Sequence, residues 1–367
     1  MSENVAPRRA TRVAVVDDSS FIRKALERIL MGDPRLEVVG TASSGEELLD
    51  HLEDWRPDVI TLDIAMPGMG GLATLDQIQS RRPTPVLVLS THTGREAPLT
   101  IEALHRGALD FINKQSYSLV DFQSLGAVLI DKILHLSRPE GLPGPDPPSV
   151  VKSAGSVGTL DTVFGGGEMS RTSGPKSRFR AILIGASTGG PVAIQQVLED
   201  LGADLPVPVV IVQHMPKGFT GHFAERLNAN LPLTVREAID GEPLLAGTVY
   251  VAPAGLNLEI AADKDRLEIR LSERSSDTPH CPSIDLLFSS AADAIGSETV
   301  AALLTGMGRD GAQGLSRLSD LGAHTLAQDE VTSVVYGMPR AANDLQAARE
   351  VLPLGEIGPR ALRLVKG

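Results

Sequence analysis

The sequence lacks several features that mark secreted, membrane-embedded or nucleic-acid-binding proteins. Its 367 residues contain one cysteine, Cys281, so no internal disulfide can form. Aromatic residues make up 3% of the chain and the formal net charge is −12, which gives few stacking surfaces and repels phosphate backbones. The apolar runs are far shorter than the roughly 20 residues of a membrane-spanning helix. We therefore expect no nucleic-acid partner and no membrane insertion.

The chain is longer than one domain usually is, and its first residues give no sign of secretion. Arg8 and Arg9 are not followed by an apolar segment of signal-peptide length. Single hydrophobic cores usually stop growing at about 250–300 residues, so 367 residues indicate two domains. The sequence predicts a cytoplasmic two-domain protein, and we expect a monomer.

The first domain, residues 1–137, shows an alternation of short apolar runs with helical patterns. Five such runs include residues 13–16, 59–62 and 86–89, and residues 21–30 have a 3.6-residue apolar period. Strands that alternate with helices predict a parallel sheet covered on both faces. We therefore expect a doubly wound, flavodoxin-like α/β domain.

Residues 138–178 are rich in proline, glycine and serine and are predicted to be a linker. The α/β rhythm resumes in residues 179–367, with apolar runs at 181–184, 209–212, 248–251 and 301–304. This predicts a second parallel-sheet domain. Within it, residues 258–271 alternate in polarity and predict a β-hairpin that turns at 263–265.

In the first domain, polar side chains lie at the carboxyl ends of several predicted strands, the edge at which open parallel sheets bind ligands. Asp17 and Asp18 follow the first strand, Asp63 the third, Ser90 ends the fourth, and Lys114 follows the fifth. Any one of these aspartates, taken alone, is better explained as the cap of the next helix. The whole set, in order, predicts a site for Mg²⁺ and a phosphoryl group, because carboxylate oxygens suit Mg²⁺ and a hydroxyl with a cation suits phosphate.

In the second domain a serine lies in a glycine-rich turn between a strand and a helix, at residues 184–191. The sequence around Ser187 fits the G-x-S-x-G pattern, in which a sharp turn exposes a nucleophilic hydroxyl. A helix N-cap or a phosphate-binding loop explains the same motif. His214 and Asp310 also follow apolar strands, so the three residues can form a nucleophile, a general base and an orienting carboxylate. Their chain order, Ser-His-Asp, differs from that of the α/β-hydrolases.

Residues 12 to about 136 resemble a response-regulator receiver domain. The resemblance implies that Asp63 accepts a phosphoryl group from a chemotaxis-type histidine kinase. Asp17 and Asp18 would hold Mg²⁺ together with Asp63. By the same resemblance the phosphate partner, switch hydroxyl and switch aromatic are Lys114, Ser90 and Phe111. Relatives usually have proline after the lysine, whereas Gln115 stands here.

Residues 179 to about 350 resemble the catalytic domain of the chemotaxis protein-glutamate methylesterases, the CheB family. The motifs are residues 185–190, 213–216, 282–285, 304–311, 327–330 and 334–339. The resemblance implies that Ser187 is the nucleophile, His214 the base and Asp310 its partner. The backbone amides of Thr188 and Met307 would be the oxyanion donors. No cofactor is implied for catalysis, and methylated chemoreceptors are the implied substrate.

Three alternatives follow from the same sequence. His280 is expected to line the substrate cleft, and Cys281 beside it is a weaker candidate nucleophile because it lacks a presenting turn. Relatives often have histidine at the position of Asn257, so the sequence does not determine which substrate contacts this position makes. The protein could also hydrolyse a different ester or amide, including receptor glutamines, or be an inactive binding protein controlled by phosphorylation.

Overall fold

The computed structural model describes residues 9–90, 97–114, 122–137, 178–263, 266–273 and 280–367. Gln115, the turn residues 264–265 and the predicted linker apart from Arg178 lie outside these ranges. The described residues form two separate parallel sheets, each covered by helices. The predicted α/β fold class is therefore confirmed. Within the described residues, no helix combines the length and apolarity needed to cross a membrane.

The first sheet has five strands in the order β2-β1-β3-β4-β5, all parallel. Its elements are β1 (Thr11–Val16), α1 (Ser20–Leu30), β2 (Leu36–Ala42), α2 (Gly45–Trp55), β3 (Val59–Asp63), α3 (Gly70–Arg81), β4 (Val86–Ser90), α4 (Ala97–His105), β5 (Asp110–Asn113) and α5 (Phe122–Leu136). Every residue of β3 and β4 is buried, as expected for central parallel strands with helices on both faces. The strand ends therefore meet at one edge of this sheet.

The second sheet has seven strands in the order β14-β13-β12-β6-β7-β9-β8, and all its pairs are parallel. Its elements are β6 (Ala181–Ala186), α6 (Gly190–Leu201), β7 (Val209–Gln213), α7 (Thr220–Asn230), β8 (Thr234–Glu237), β9 (Thr248–Val251), β12 (Thr299–Leu303), α9 (Ala312–Asp320), β13 (His324–Gln328), α10 (Met338–Asp344), β14 (Glu350–Leu352) and α11 (Leu354–Lys366). The predicted hairpin is present as β10 (Leu256–Asp263) and β11 (Arg266–Glu273), and helix α8 (Ile284–Ala294) packs on it.

Three strands of the second sheet carry little signal in the sequence. Strands β8 and β14 lie at the sheet edges, span four and three residues, and have polar side chains, so neither shows an apolar run. Strand β13 begins with a histidine and ends with a glutamine, and both are buried. Neighbouring strands, rather than local composition, place these segments in the sheet.

The two domains are in contact through α4, β5 and α5 of the first domain. The rings of Phe111 and Phe219 lie 4.6 Å apart between centroids, and both side chains are buried. Glu102 forms an ion pair with Arg226 of α7. The first domain thus packs on the side of the second domain that carries α6 and α7.

Candidate active site

Ser187 directly follows β6 and begins the turn into α6. Its backbone amide donates to the carbonyl of Thr305, with 3.0 Å between nitrogen and oxygen. Its carbonyl accepts from the amide of Gly190 and from Nε2 of Gln213, each at 2.8 Å. Because these partners come from both neighbouring strands and from the turn itself, the position of the serine is fixed on three sides.

Gly306 allows the loop after β12 to approach the serine closely. A Cβ atom at this position would lie 2.8 Å from Cβ of Ser187 and 2.4 Å from Sδ of Met338. Both distances are shorter than side chains tolerate, so only glycine fits without displacement. The loop that carries Met307 therefore lies against Ser187.

His214 lies at the end of β7, next to the end of β6. Its backbone amide donates to the carbonyl of Ala186 at 3.1 Å, and its Nε2 is 2.8 Å from Oδ2 of Asp310. The imidazole stacks on the ring of His280 with 4.3 Å between centroids. The structure therefore brings together the histidine and the carboxylate that the sequence analysis paired, and places both at the edge that carries Ser187.

The carboxylate of Asp310 is held by four donors. Oδ2 accepts from Nε2 of His214 and from the amide of Ile284, both at 2.8 Å, while Oδ1 accepts from Oγ of Ser283 and the amide of Asp285, both at 3.1 Å. Burial acts to raise the pKa of Asp310, but the hydrogen bond and charge of His214 and the two amides lower it to about 2. Asp310 is therefore ionised at neutral pH.

Ser283 is a site residue to which the sequence analysis gave no role. The signal for it is a serine directly before the helical run of α8, which is typical of an N-cap. Asn257 is 1% exposed, and its Oδ1 accepts from the amide of Ser283 at 3.1 Å. In this structure Asn257 therefore contacts the residues around Asp310.

The two residues expected to donate to an oxyanion flank the serine in space. Thr188 follows Ser187, is 3% exposed, and its carbonyl accepts from Oγ1 of Thr305 at 2.9 Å. Met307 follows Gly306 in the adjoining loop and is partly exposed. Both backbones thus lie at the sheet edge where Ser187 begins its turn.

A cavity of about 320 Å³ separates this edge from the first domain. Its lining includes His214, His280 and Cys281 from one side and Phe111 and Lys132 from the other. Nζ of Lys132 forms an ion pair with Asp110 and lies 3.3 Å from Oγ1 of Thr188. A receiver lysine therefore touches the residue next to the candidate nucleophile.

The carboxyl edge of the first sheet gathers three acids and a lysine. Nζ of Lys114 is 2.7 Å from Oδ2 of Asp17 and 2.8 Å from Oδ2 of Asp63. One oxygen each of Asp17, Asp18 and Asp63 lies within 4.8 Å of the others, a set of hard donors that fits Mg²⁺. Burial, with the nearby charge of Asp17, raises the pKa of Asp63 although Lys114 opposes the shift. Lys114 thus contacts two of the three carboxylates, as expected for the phosphate partner of this edge.

The two expected switch residues lie on the neighbouring strands β4 and β5, next to the strand that ends in Asp63. Ser90 is 1% exposed, and its Oγ accepts from Oγ1 of Thr100 at 2.7 Å. Phe111 is buried against Phe219 rather than facing solvent. The proposed switch aromatic is therefore part of the contact between the two domains.

Residues 182–361 match the family model described as CheB methylesterase, and residues 13–121 match the response regulator receiver domain. A relative from Desulfitobacterium hafniense (strain Y51), named protein-glutamate methylesterase/protein-glutamine glutaminase, is 38% identical over 98% of this chain and 99% of its own length. The chain belongs to the CheB methylesterase family. A relative of the same kind from Hahella chejuensis is 42% identical, with 96% of each chain covered.

A solved structure supports the assignment of the second domain. The CheB methylesterase catalytic domain from Thermotoga maritima is 37% identical, with a TM-score of 0.50, and covers 51% of this chain and 99% of that one. Members of the CheB family are carboxylic ester hydrolases with a receiver domain, and this architecture accounts for both parallel sheets.

Proposed function

We propose that this protein is a phosphorylation-activated methylesterase that hydrolyses glutamate γ-methyl esters on chemoreceptors through Ser187, His214 and Asp310. The observation that carries the proposal is the hydrogen bond between the Asp310 carboxylate and His214 at the edge that presents Ser187. An ionised carboxylate keeps the imidazole oriented and stabilises its charged form during catalysis.

The chemistry follows from which ring nitrogen Asp310 binds. Because Nε2 of His214 is bonded to the carboxylate, Nδ1 is the ring nitrogen left to take the proton of Ser187 in this proposal. The serine oxygen then bonds to the ester carbonyl, and Nδ1 returns the proton to the leaving methoxide, which departs as methanol. Water hydrolyses the acyl-enzyme by the same route and restores the glutamate. The amides of Thr188 and Met307 would stabilise the oxyanion, and no cofactor is needed.

The same steps would convert a glutamine side chain into glutamate with release of ammonia. The relatives' names include protein-glutamine glutaminase, which supports this second reaction. Amides need protonation of a poorer leaving group, and His214 in its protonated form can supply that proton.

The receiver edge is proposed to accept a phosphoryl group on Asp63 from a histidine kinase in the cytoplasm. Asp17, Asp18 and Asp63 would hold Mg²⁺, which neutralises charge on the transferring group. Lys114 would then pair with the phosphate. Division of the chain into a receiver (1–137), linker (138–178) and catalytic domain (179–367) belongs to the same proposal.

Regulation is proposed to work through the contact between the domains. Lys132 lies beside Thr188 and Phe111 packs against Phe219. In the proposed unphosphorylated state these contacts would keep a bulky receptor away from Ser187. Phosphorylation of Asp63 would draw Ser90 and Phe111 toward the phosphate and weaken this contact. A shift in the docked population is then enough to open the site.

The proposal is tested by methanol release from methylated receptor membranes. The wild-type chain should release methanol, and a small phosphodonor with Mg²⁺ should accelerate it; Asp63→Asn should abolish the acceleration and keep the basal rate. Release of a different alcohol from other esters, but no methanol, would redirect the substrate assignment. No hydrolysis by the folded phosphorylated chain would favour a binding protein.

A further inference from the structure

Helix α8 begins at the carboxylate of Asp310, although Asp310 itself belongs to the loop before α9. The first two amides of the helix, those of Ile284 and Asp285, each donate to one carboxylate oxygen. Negative charge is favoured at a helix N-terminus, where the first amides lack partners within the helix. Asp310 thus supplies the acceptor for the start of α8 as well as for His214.

Ser283 connects the cap of this helix to the carboxylate. Its Oγ accepts from the amide of Leu286 at 3.3 Å and donates to Oδ1 of Asp310 at 3.1 Å. The side chain is buried, with the residue 2% exposed. A hydroxyl has one proton to donate, and here that proton goes to Asp310.

Asn257 in turn fixes Ser283. It lies on β10, is 1% exposed, and its Oδ1 accepts from the amide of Ser283 at 3.1 Å. A chain of buried hydrogen bonds therefore leads from the hairpin through Ser283 to Asp310, and from there to His214.

We propose that Ser283, held in place by Asn257, is a positioning residue whose hydroxyl fixes the Asp310 carboxylate in the orientation that the His214 imidazole requires. The inference rests on the proposed function, because it assumes that Asp310 orients the catalytic base.

The geometry explains why one hydroxyl matters. Ser283 and the amide of Asp285 anchor Oδ1, which leaves Oδ2 directed at Nε2 of His214, 2.8 Å away. Without the Ser283 hydroxyl, the amides of Ile284 and Asp285 still hold one oxygen each, but Oδ1 keeps a single donor. The carboxylate is then held less firmly and orients the imidazole less precisely. Loss of one hydrogen bond to a charged group corresponds to roughly a 10–150-fold effect. Because three other donors remain, we expect kcat to fall by about the lower value, tenfold.

The test separates the hydroxyl from the helix cap. Ser283→Gly removes the donor but keeps a good N-cap residue, since glycine costs only a few tenths of a kcal/mol there. Ser283→Thr keeps a hydroxyl. In the phosphorylated full chain, methanol release by Ser283→Gly should show kcat reduced about tenfold with KM unchanged, and Ser283→Thr should recover most of kcat.

Ser290→Ala is the matched control, because Ser290 is a serine of the same helix that does not touch Asp310. Its Oγ accepts from the amide of Ile260 at 3.0 Å and so links α8 to β10. This variant should keep the wild-type kcat. Asn257→Ala should also lower kcat, and combined with Ser283→Gly the loss should be smaller than the product of the two single losses.

The outcomes distinguish failure of the proposed role of Ser283 from failure of the proposed catalytic triad. Wild-type kcat in Ser283→Gly, with Ser187→Ala inactive, would overturn the role of Ser283 and leave the triad. Near-normal activity in Ser187→Ala would overturn the triad itself. A Ser283→Thr variant as slow as Ser283→Gly would overturn the inference, as the loss would then come from packing. Fully multiplicative losses would remove Asn257 from it.

Discussion

The ion pair between Glu102 of the receiver and Arg226 of α7 provides a direct test of inhibition by docking. It crosses the two domains away from the triad, so changing it leaves the catalytic residues in place. Replacing Arg226 by glutamate puts two like charges where an ion pair lies now. The unphosphorylated receiver should then dock less often, and the basal methylesterase rate should rise.

The size of the rise follows from the exposure of the pair. The side chains of Arg226 and Glu102 are 30% and 19% exposed, so solvent screens them in part, and the pair contributes about 0.2–1 kcal/mol. A like-charge pair opposes docking by a similar amount. Together these give about 0.4–2 kcal/mol, or roughly a 2–30-fold lower docking constant. The basal rate should rise by up to that factor, and the phosphorylated rate should stay near wild type.

The assay is methanol release from methylated receptor membranes, with and without a small phosphodonor and Mg²⁺. Glu225→Lys is the control, because Glu225 lies on the same helix, is 77% exposed and pairs with His222 of its own domain. It should leave the basal rate unchanged. The charge swap that combines Glu102→Arg with Arg226→Glu should bring the basal rate part of the way back toward wild type, because Glu102 also pairs with Arg106 of its own helix and the swap breaks that pair.

Two results would refute the reasoning. A folded Arg226→Glu variant with the wild-type basal rate would show that the contact between the domains does not limit activity. A raised basal rate that the charge swap fails to lower would show that Arg226 acts through the catalytic domain alone.

Four further outcomes are expected. Ser187→Ala should fold normally and lose several orders of magnitude in kcat; His214→Ala should lose nearly as much, and the double variant little more, as assayed by methanol release. Acetyl phosphate should label the chain only when Mg²⁺ is present and Asp63 is intact, as measured by intact mass. If the Asp63→Asn variant were still labelled, the phosphoacceptor would be another residue. Residues 179–367 alone should hydrolyse receptor esters faster than the unphosphorylated full chain; an equal or slower rate would exclude inhibition by the receiver. The pKa of Asp310 is about 2 in the folded chain, against an ordinary 3.8, which contributes about 2 kcal/mol to the free energy of unfolding. This contribution is present above pH 4 and is lost as the pH falls toward 2. In urea unfolding, the stability difference between wild type and Asp310→Asn should therefore shrink over that pH range.

The sequence by itself determined the α/β class of both domains, because apolar strands and helical periods alternate along most of the chain. It also directed attention to Ser187, His214 and Asp310, since polar residues after buried parallel strands must meet at one sheet edge. The structure places His214 and Asp310 within hydrogen-bond distance at that edge. Each of these residues can be identified from its own stretch of sequence, because each directly follows an apolar strand.

Only the tertiary structure decided which residues surround the Asp310 carboxylate and what covers the site. Asn257 lies on a hairpin and Ser283 at the start of a helix. Nothing in the sequence shows that Asn257 accepts from the amide of Ser283, or that the Ser283 hydroxyl donates to Asp310. From the sequence, Lys132 is one charged residue among others on a helix. In the structure its Nζ contacts Oγ1 of Thr188 in the other domain. These contacts join segments 26 to 56 residues apart, and no periodicity encodes them. They exist because packed helices and sheets bring buried polar groups together, where each must find a partner.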